Sequence, residues 1–279
     1  MAVAGAITPL DGVPPFELFG GATDEAWRSL HLEGREACPF LGRYLPSLTG
    51  DPEFEESMVG VSGTAALHQG FQIYEVFKGL YEKYAGPLFP ENRVLDFGCG
   101  WGRVIRFFLR EVAPDNLIGL DTYEPALAAC RKTNRWSNFL QCEVLPPTEL
   151  KSASFDLIYA FSVFSHLSEE AHWRWLEEFK RILRPTGVLV LTTFQRDFLA
   201  TGRPSAGEAI GPSLEESLAA YDRGDFSYRS LQEVKNPHFG DAYIPEPYVR
   251  EHWSKLFKVE EYSRMPEKAQ NIIVCTHAG

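Results

Sequence analysis

The sequence predicts an α/β protein with a doubly wound, mostly parallel sheet, and three observations predict it. Short apolar runs alternate with helix-length amphipathic segments from residue 93 to residue 194. A glycine-rich turn joins the first run to the segment after it, in VLDFGCGWGR at residues 94–103. The connections between runs are long enough for right-handed crossovers, which cover a parallel sheet on both faces.

The elements follow in order. Residues 1–69 read as an N-terminal extension, rich in Pro, Gly and aromatic residues, whose one periodic stretch is a helix over 24–36 capped by Thr23. The α/β core is expected at 70–194. It opens with an amphipathic helix over 70–84, where Phe71, Ile73, Tyr74, Phe77, Leu80, Tyr81 and Tyr84 recur at helical spacing before Gly86 and Pro87 end it. Strands are expected at 93–97, 116–121, 139–142, 155–161 and 187–194, with helices at 102–112, 125–133 and 169–183 between them. Ser168 caps the last of these helices, Glu169 and Glu170 favour its first turn, and Pro185 and Gly187 close it. Residues 195–245 break the alternation with a Gly/Pro/Ser-rich opening, a helix over 214–221 and the mixed segment DRGDFSYRS. That length suits a lid or substrate-facing insertion better than a plain connection. Residues 246–279 hold a helix over 246–256 and strands at 258–263 and 271–276, joined by a turn at Met265 and Pro266.

Composition narrows the function classes. The chain has 279 residues, 44% hydrophobic and 23% charged, with a formal net charge of -11. Such an acidic balance repels polyphosphate. The two basic groupings, Arg103/Arg106/Arg110 and Arg131/Lys132/Arg135, read as solvated helix faces, so no nucleic-acid partner is expected. Five scattered cysteines without CxxC or Cys/His zinc spacing suit a reducing compartment. The start, MAVAGAITPLDGVPP, lacks a basic region and is interrupted by Pro9, Asp11, Pro14 and Pro15, unlike a signal peptide. No apolar run approaches the ~20 residues that span a bilayer. A cytoplasmic protein without a membrane partner is the expectation.

The glycine turn carries the chemistry. Bare backbone between a strand and a helix can approach a ligand closely and aims the helix N-terminus at it. Gly98, Gly100 and Gly102 alternate, and Arg103 stands where the third glycine of a dinucleotide motif belongs, so a diphosphate fits poorly. Val104, Phe107, Phe108 and Val112 still give the following helix one face for the sheet. Asp96 precedes the glycines, and Asp121 ends the next strand, where a carboxylate can accept from both hydroxyls of a ribose. An adenosine without a diphosphate satisfies both observations.

VLDFGCGWGR followed by LIGLD, and then FDLIYAFSVFSHLSEEAHWRWLEEFKRILRPTGVLVLTT, resembles the nucleotide-binding core of class I S-adenosylmethionine-dependent methyltransferases over about Val94 to Phe194. The resemblance implies a Rossmann-like sheet of seven strands whose last two form an antiparallel pair. It implies S-adenosyl-L-methionine as cofactor, with Gly98, Cys99, Gly100 and Gly102 under its amino-acid part and Asp96 near its ammonium. Asp121 would hold the ribose, Thr122 and Tyr123 would lie along adenine, and Glu143 and Val144 would flank it. Phe161 and Ser162 would border the methionine part.

His166, just past the fourth predicted strand, stands where open α/β sheets place ligands. Three roles are open for it: a general base, a cap of the following helix, or packing against the ribose. His172 and Trp173 read as helix-face packing, as do Phe71 and Tyr74 in the core. His238, Asp241, Tyr243 and Tyr228 are acceptor-side candidates that a packed lid would account for equally. The fourth strand begins at Asp156 and ends in Phe161 and Ser162 rather than in gathered carboxylates, so no metal is expected. Metal-independent O-methylation of a small molecule or glycan hydroxyl is the leading expectation. N-methylation of an amine and a non-catalytic cofactor-binding module remain open, while Arg103 disfavours a nicotinamide enzyme.

Overall fold

Apolar strands that lie between two layers of helices are buried on both faces, and the first strand, Val94–Phe97 (β1), is buried at every position. The structure, a computed structural model, describes residues 12–202, 208–231, 236–265 and 268–278. The expectations that touch Pro9, Asp11 and Pro266 lie outside the described residues. The further strands of the main sheet are Leu117–Asp121 (β2), Asn138–Gln141 (β3), Phe155–Ala160 (β4) and Leu183–Phe194 (β5). Ala209–Ile210 (β6), Ser227–Leu231 (β7) and Gly240–Tyr243 (β8) form a separate three-stranded antiparallel sheet, and Phe257–Arg264 (β9) and Gln270–His277 (β10) return to the main one.

The main sheet has seven strands in the order β3-β2-β1-β4-β5-β10-β9. Strands β1 to β5 are parallel, and β10 runs antiparallel to both β5 and β9. The chain reverses its direction of winding between β1 and β4, and at such a switch point a crevice opens beyond the carboxyl ends. Asp96 pairs with Gly119 on one side and Tyr159 on the other, so its carboxylate sits at this crevice.

Alternate residues of β4 feed opposite cores. Tyr159 joins Phe71, Tyr74, Phe77, Phe107 and Phe108 on one face, and Ile158 joins Phe97, Trp175, Phe179 and Leu191 on the other. The helix expected at 70–84 runs over Gly63–Ala85, beginning about two turns earlier. Ser168 caps the Glu169–Ile182 helix through a hydrogen bond from Ala171 N, as its position predicts.

Three expectations are corrected, the least of them that Pro185 and Gly187 close the Glu169–Ile182 helix: both lie within β5, which begins at Leu183. Residues 102–112 do not form an α-helix: turns lead into a 3-10 helix, Ile105–Arg110. Side chains take the carbonyls that an α-helix would use, Arg106 Nε donating to Gly102 O at 3.0 Å and Trp27 Nε1 to Phe107 O at 2.9 Å. Such competition for backbone acceptors favours the tighter turn. The third correction concerns Arg103, Arg106 and Arg110, which are buried and not solvated. Residues before 63 cover two of them: Arg106 Nη1 donates to Ser47 O, and Arg110 pairs with Glu111 and with Asp24 of the Asp24–Ser29 helix, while Arg103 turns to Gln69 and the Phe161 ring. Trp27 and Tyr44 lie in the same apolar cluster as Phe107, so residues before 63 help to build the core. By contrast, Arg131, Lys132 and Arg135 are exposed.

Candidate active site

The turn after β1 is set by its neighbours. Gly98, Gly100 and Gly102 have φ of +72°, +53° and +73°, a region that costs L-residues about 1–2 kcal/mol. Space adds to this at Gly98, where a Cβ would lie 2.3 Å from Val163 Cγ2. Gly98 N donates to Leu120 O at 2.8 Å, and Gly100 N donates to Asp121 Oδ2 at 2.8 Å. Asp121 Oδ1 accepts in turn from Tyr123 N at 2.9 Å. One carboxylate thus braces the glycine turn and the entry to the next helix together.

The turn forms the floor of a cavity of about 910 Å³. Asp96, Gly98, Cys99, Gly100, Asp121, Thr122, Tyr123, Val144, Phe161, Ser162 and His166 all line it, which brings together most of the residues singled out by sequence. Two are not brought in. Gly102 faces away, since a Cβ there would meet Cys130 Sγ at 3.2 Å and the Phe139 ring at 3.4 Å; it allows the turn to pack on the sheet layer beneath. Glu143 is exposed and outside the lining.

Asp96 is 4% exposed, and its Oδ2 makes no hydrogen bond of standard geometry. Burial pushes its carboxyl up to about 7, with the nearby Tyr159 hydroxyl and Arg103 opposing that shift. Ser162 has φ of +59°, unusual for a residue other than glycine. Its N donates to Thr192 Oγ1 at 2.7 Å, and its Oγ accepts from Gln270 Nε2 at 3.3 Å. Strain of this kind, held by surrounding hydrogen bonds, gathers at ligand sites.

His166 stacks on Phe239, ring centroids 5.2 Å apart, and meets the edge of Phe194 at 5.1 Å. Its Nδ1 lies 2.9 Å from Gly240 O and 4.0 Å from Asp241 Oδ1. A carbonyl only accepts, so Nδ1 carries the hydrogen and Nε2 the lone pair. Burial holds the imidazole below its ordinary pKa, against the upward pull of Gly240 and Asp241. His172, by contrast, packs in the core with Nε2 2.8 Å from Phe164 O, and burial alone pulls it down to about 3.

The insertion supplies one wall, tied down by a bridge between Leu167 and Phe239 and by Ser168 N donating to His238 O at 3.1 Å. Of its candidates, His238 contacts Ser168 Oγ, Tyr228 OH donates to Pro237 O, and Tyr243 is fully buried; none of these lines the cavity. Asp241 acts behind His166. Sequence reasoning missed Met58, Gln69, Phe194, Asn236, Phe239, Lys268 and Gln270, which line the cavity from five separate segments. Their signal is spatial, since no local pattern links residue 58 to residue 270. Among the described residues, no group of three or more His, Cys, Asp or Glu side chains is placed to hold a metal ion, and no helix is long and apolar enough to cross a membrane.

Comparison with known proteins adds to this geometry. A family model described as a methyltransferase domain matches residues 94–187. The chain is similar to the malonyl-[acyl-carrier protein] O-methyltransferase of Paenibacillus sp. (strain JDR-2), 32% identical over 51% of this chain and 53% of that protein. The protein of the same name from Enterobacter lignolyticus (strain SCF1) is 29% identical over 64% of this chain and 74% of its own length. The chain thus spans about half the length of the first relative. In fold it is similar to the crystal structure of an S-adenosylmethionine-dependent methyltransferase from Mesorhizobium loti, with a TM-score of 0.51 and 15% identity over 71% of this chain and 95% of that one.

Proposed function

The chain belongs to the class I S-adenosylmethionine-dependent methyltransferases, and from that premise we propose that it methylates a hydroxyl oxygen of a small molecule or glycan, without a metal, with His166 as base. Its cofactor is S-adenosylmethionine, and the residues present fit that group. The buried, unbonded Asp96 Oδ2 is an acceptor in want of a cation, which an ammonium provides. Gly98 and Gly100 offer bare backbone under the amino-acid part. Each Asp121 oxygen accepts one backbone hydrogen bond and keeps a second lone pair for a ribose hydroxyl. Thr122, Tyr123 and Val144 would border adenine, and Phe161 and Ser162 the methionine part. Glu143, out in solvent, is given no part.

When bound, the cofactor supplies an electrophilic methyl group on a sulfonium. The chain's own task is to hold the acceptor in line, keep water out and take a proton. The observation that carries the base assignment is the contact of His166 Nδ1 with Gly240 O at 2.9 Å, which leaves Nε2 with the lone pair. Nε2 would take the hydroxyl proton, and Asp241, 4.0 Å from Nδ1, would then stabilise the imidazolium. The Paenibacillus and Enterobacter relatives are each named an O-methyltransferase, which supports oxygen as the receiving atom.

The test is His166→Asn assayed with labelled S-adenosylmethionine on a panel of hydroxylated acceptors. Transfer is expected to fall by about 10²–10⁴-fold while affinity for S-adenosylhomocysteine stays within about threefold. Undiminished transfer would remove His166 as the base.

A further inference from the structure

One charge pattern in the cavity is left over from this function. Arg103 is 7% exposed and lines the cavity. Its Nη1 makes one long hydrogen bond, 3.4 Å to Gln69 Oε1, and its guanidinium lies 5.5 Å from the centre of the Phe161 ring. No carboxylate among the described residues stands in ion-pair range of it. Asp96 attracts it only from farther away, and burial pulls Arg103 down to about 10. A guanidinium held so far from water without an anion is costly, and a planar carboxylate matches its donor fork.

A second cation accompanies it. Lys268, just before β10, also lines the cavity and donates Nζ to Gln72 Oε1 at 3.1 Å. Gln69 and Gln72 belong to the same Gly63–Ala85 helix, one turn apart, so a single helix orients both cations. Gly70, between the glutamines, permits this closeness: a Cβ there would stand 2.5 Å from Arg103 O. The amide oxygen of Gln69 orients the Arg103 guanidinium without neutralising it.

We propose that the acceptor is a hydroxy acid, its carboxylate received by Arg103 with Lys268 beside it and its hydroxyl presented to His166. This rests on the methyltransferase function above and narrows its acceptor. The cofactor's own carboxylate has the same chemistry, so the experiment separates the two sources.

Calorimetry on protein loaded with S-adenosylhomocysteine would compare lactate, malate and the hydroxybenzoates, each against its neutral amide. An acid is expected to bind about tenfold or more tightly than its amide, and Arg103→Gln and Lys268→Gln are each expected to cut that preference to below about threefold. S-adenosylhomocysteine affinity should remain within about threefold in both variants. The proposal is overturned if no acid is preferred, or if Arg103→Gln weakens S-adenosylhomocysteine about tenfold and leaves the acid preference intact, which gives Arg103 to the cofactor. The wild-type comparison and Lys268→Gln decide the matter even where Arg103→Gln fails to fold. Absence of S-adenosylhomocysteine binding to the wild type would instead strike the methyltransferase function itself.

Discussion

Asp121 Oδ2 accepts a hydrogen bond from Gly100 N at 2.8 Å, so the carboxylate at the end of β2 shapes the glycine turn with which it shares a cavity. Removing it should therefore damage the site twice. Asp121→Ala is expected to weaken S-adenosylhomocysteine by about 100-fold or more, from the loss of several charge-assisted hydrogen bonds worth about 1.5–3 kcal/mol each. Asp121→Asn keeps one oxygen as acceptor and should lose about tenfold. Isothermal titration of the two variants measures the difference, and equal losses would contradict a bracing role.

Gly98→Ala combines a left-handed φ with a Cβ 2.3 Å from Val163 Cγ2. It should cost about 2–5 kcal/mol, the sum of the backbone penalty and overpacking. Gly98→Ala combined with Val163→Ala relieves the clash and leaves the backbone penalty, so denaturant unfolding should show partial recovery.

Asp96 gives cofactor binding a pH dependence. Its folded-state value, near 7, lies above the ordinary carboxylate value of about 3.9. Between these values the cofactor-free folded protein binds more protons than the unfolded chain, so its stability falls as pH rises from about 4 to 7. A bound ammonium stabilises the ionised form and reverses that loss. The rise in melting temperature on adding S-adenosylhomocysteine should thus be larger at pH 8 than at pH 5, and Asp96→Asn should abolish the difference.

His166 acts at the other end of the pH scale for its type. Burial lowers its pKa, against the upward pull of Gly240 and Asp241, which favours the neutral imidazole. The acid limb of the rate profile should lie below pH ~6.5, the ordinary value for histidine. Asp241→Asn removes an upward pull on the imidazole, and should move that limb to still lower pH while slowing transfer.

Trp27 tests the N-terminal cover. It is fully buried and donates to Phe107 O at 2.9 Å. Trp27→Ala should cost about 3–5 kcal/mol, and Trp27→Phe, which keeps most of the packing and loses the donor, about 1–3 kcal/mol. Chemical denaturation of both variants measures these costs.

What was legible in the sequence was what has a local period. Strand alternation, the Ser168 cap and the three glycines are written in neighbouring residues, and they located the parallel strands and the glycine turn beneath the cavity. Asp96 and Asp121 were legible because strand ends fall where ligands bind. The conformation of residues 105–110 was not, because the Trp27 indole that takes the Phe107 carbonyl comes from far upstream. Arg106 and Arg110 looked solvated for the same reason: their cover is an N-terminal segment without sustained periodicity. The acceptor wall was hidden too, since Gln69, Phe239 and Lys268 meet only once the sheet and the insertion have folded.

The central claim is that the turn at Gly98–Gly100, with Asp96 and Asp121, holds an adenosyl amino acid. Titration of the wild-type protein with S-adenosylhomocysteine tests it most directly, with NADH in a parallel cell. A saturable one-to-one isotherm for the former and no heat for the latter is the predicted result. Silence with S-adenosylhomocysteine, or binding of NADH in its place, would contradict the account.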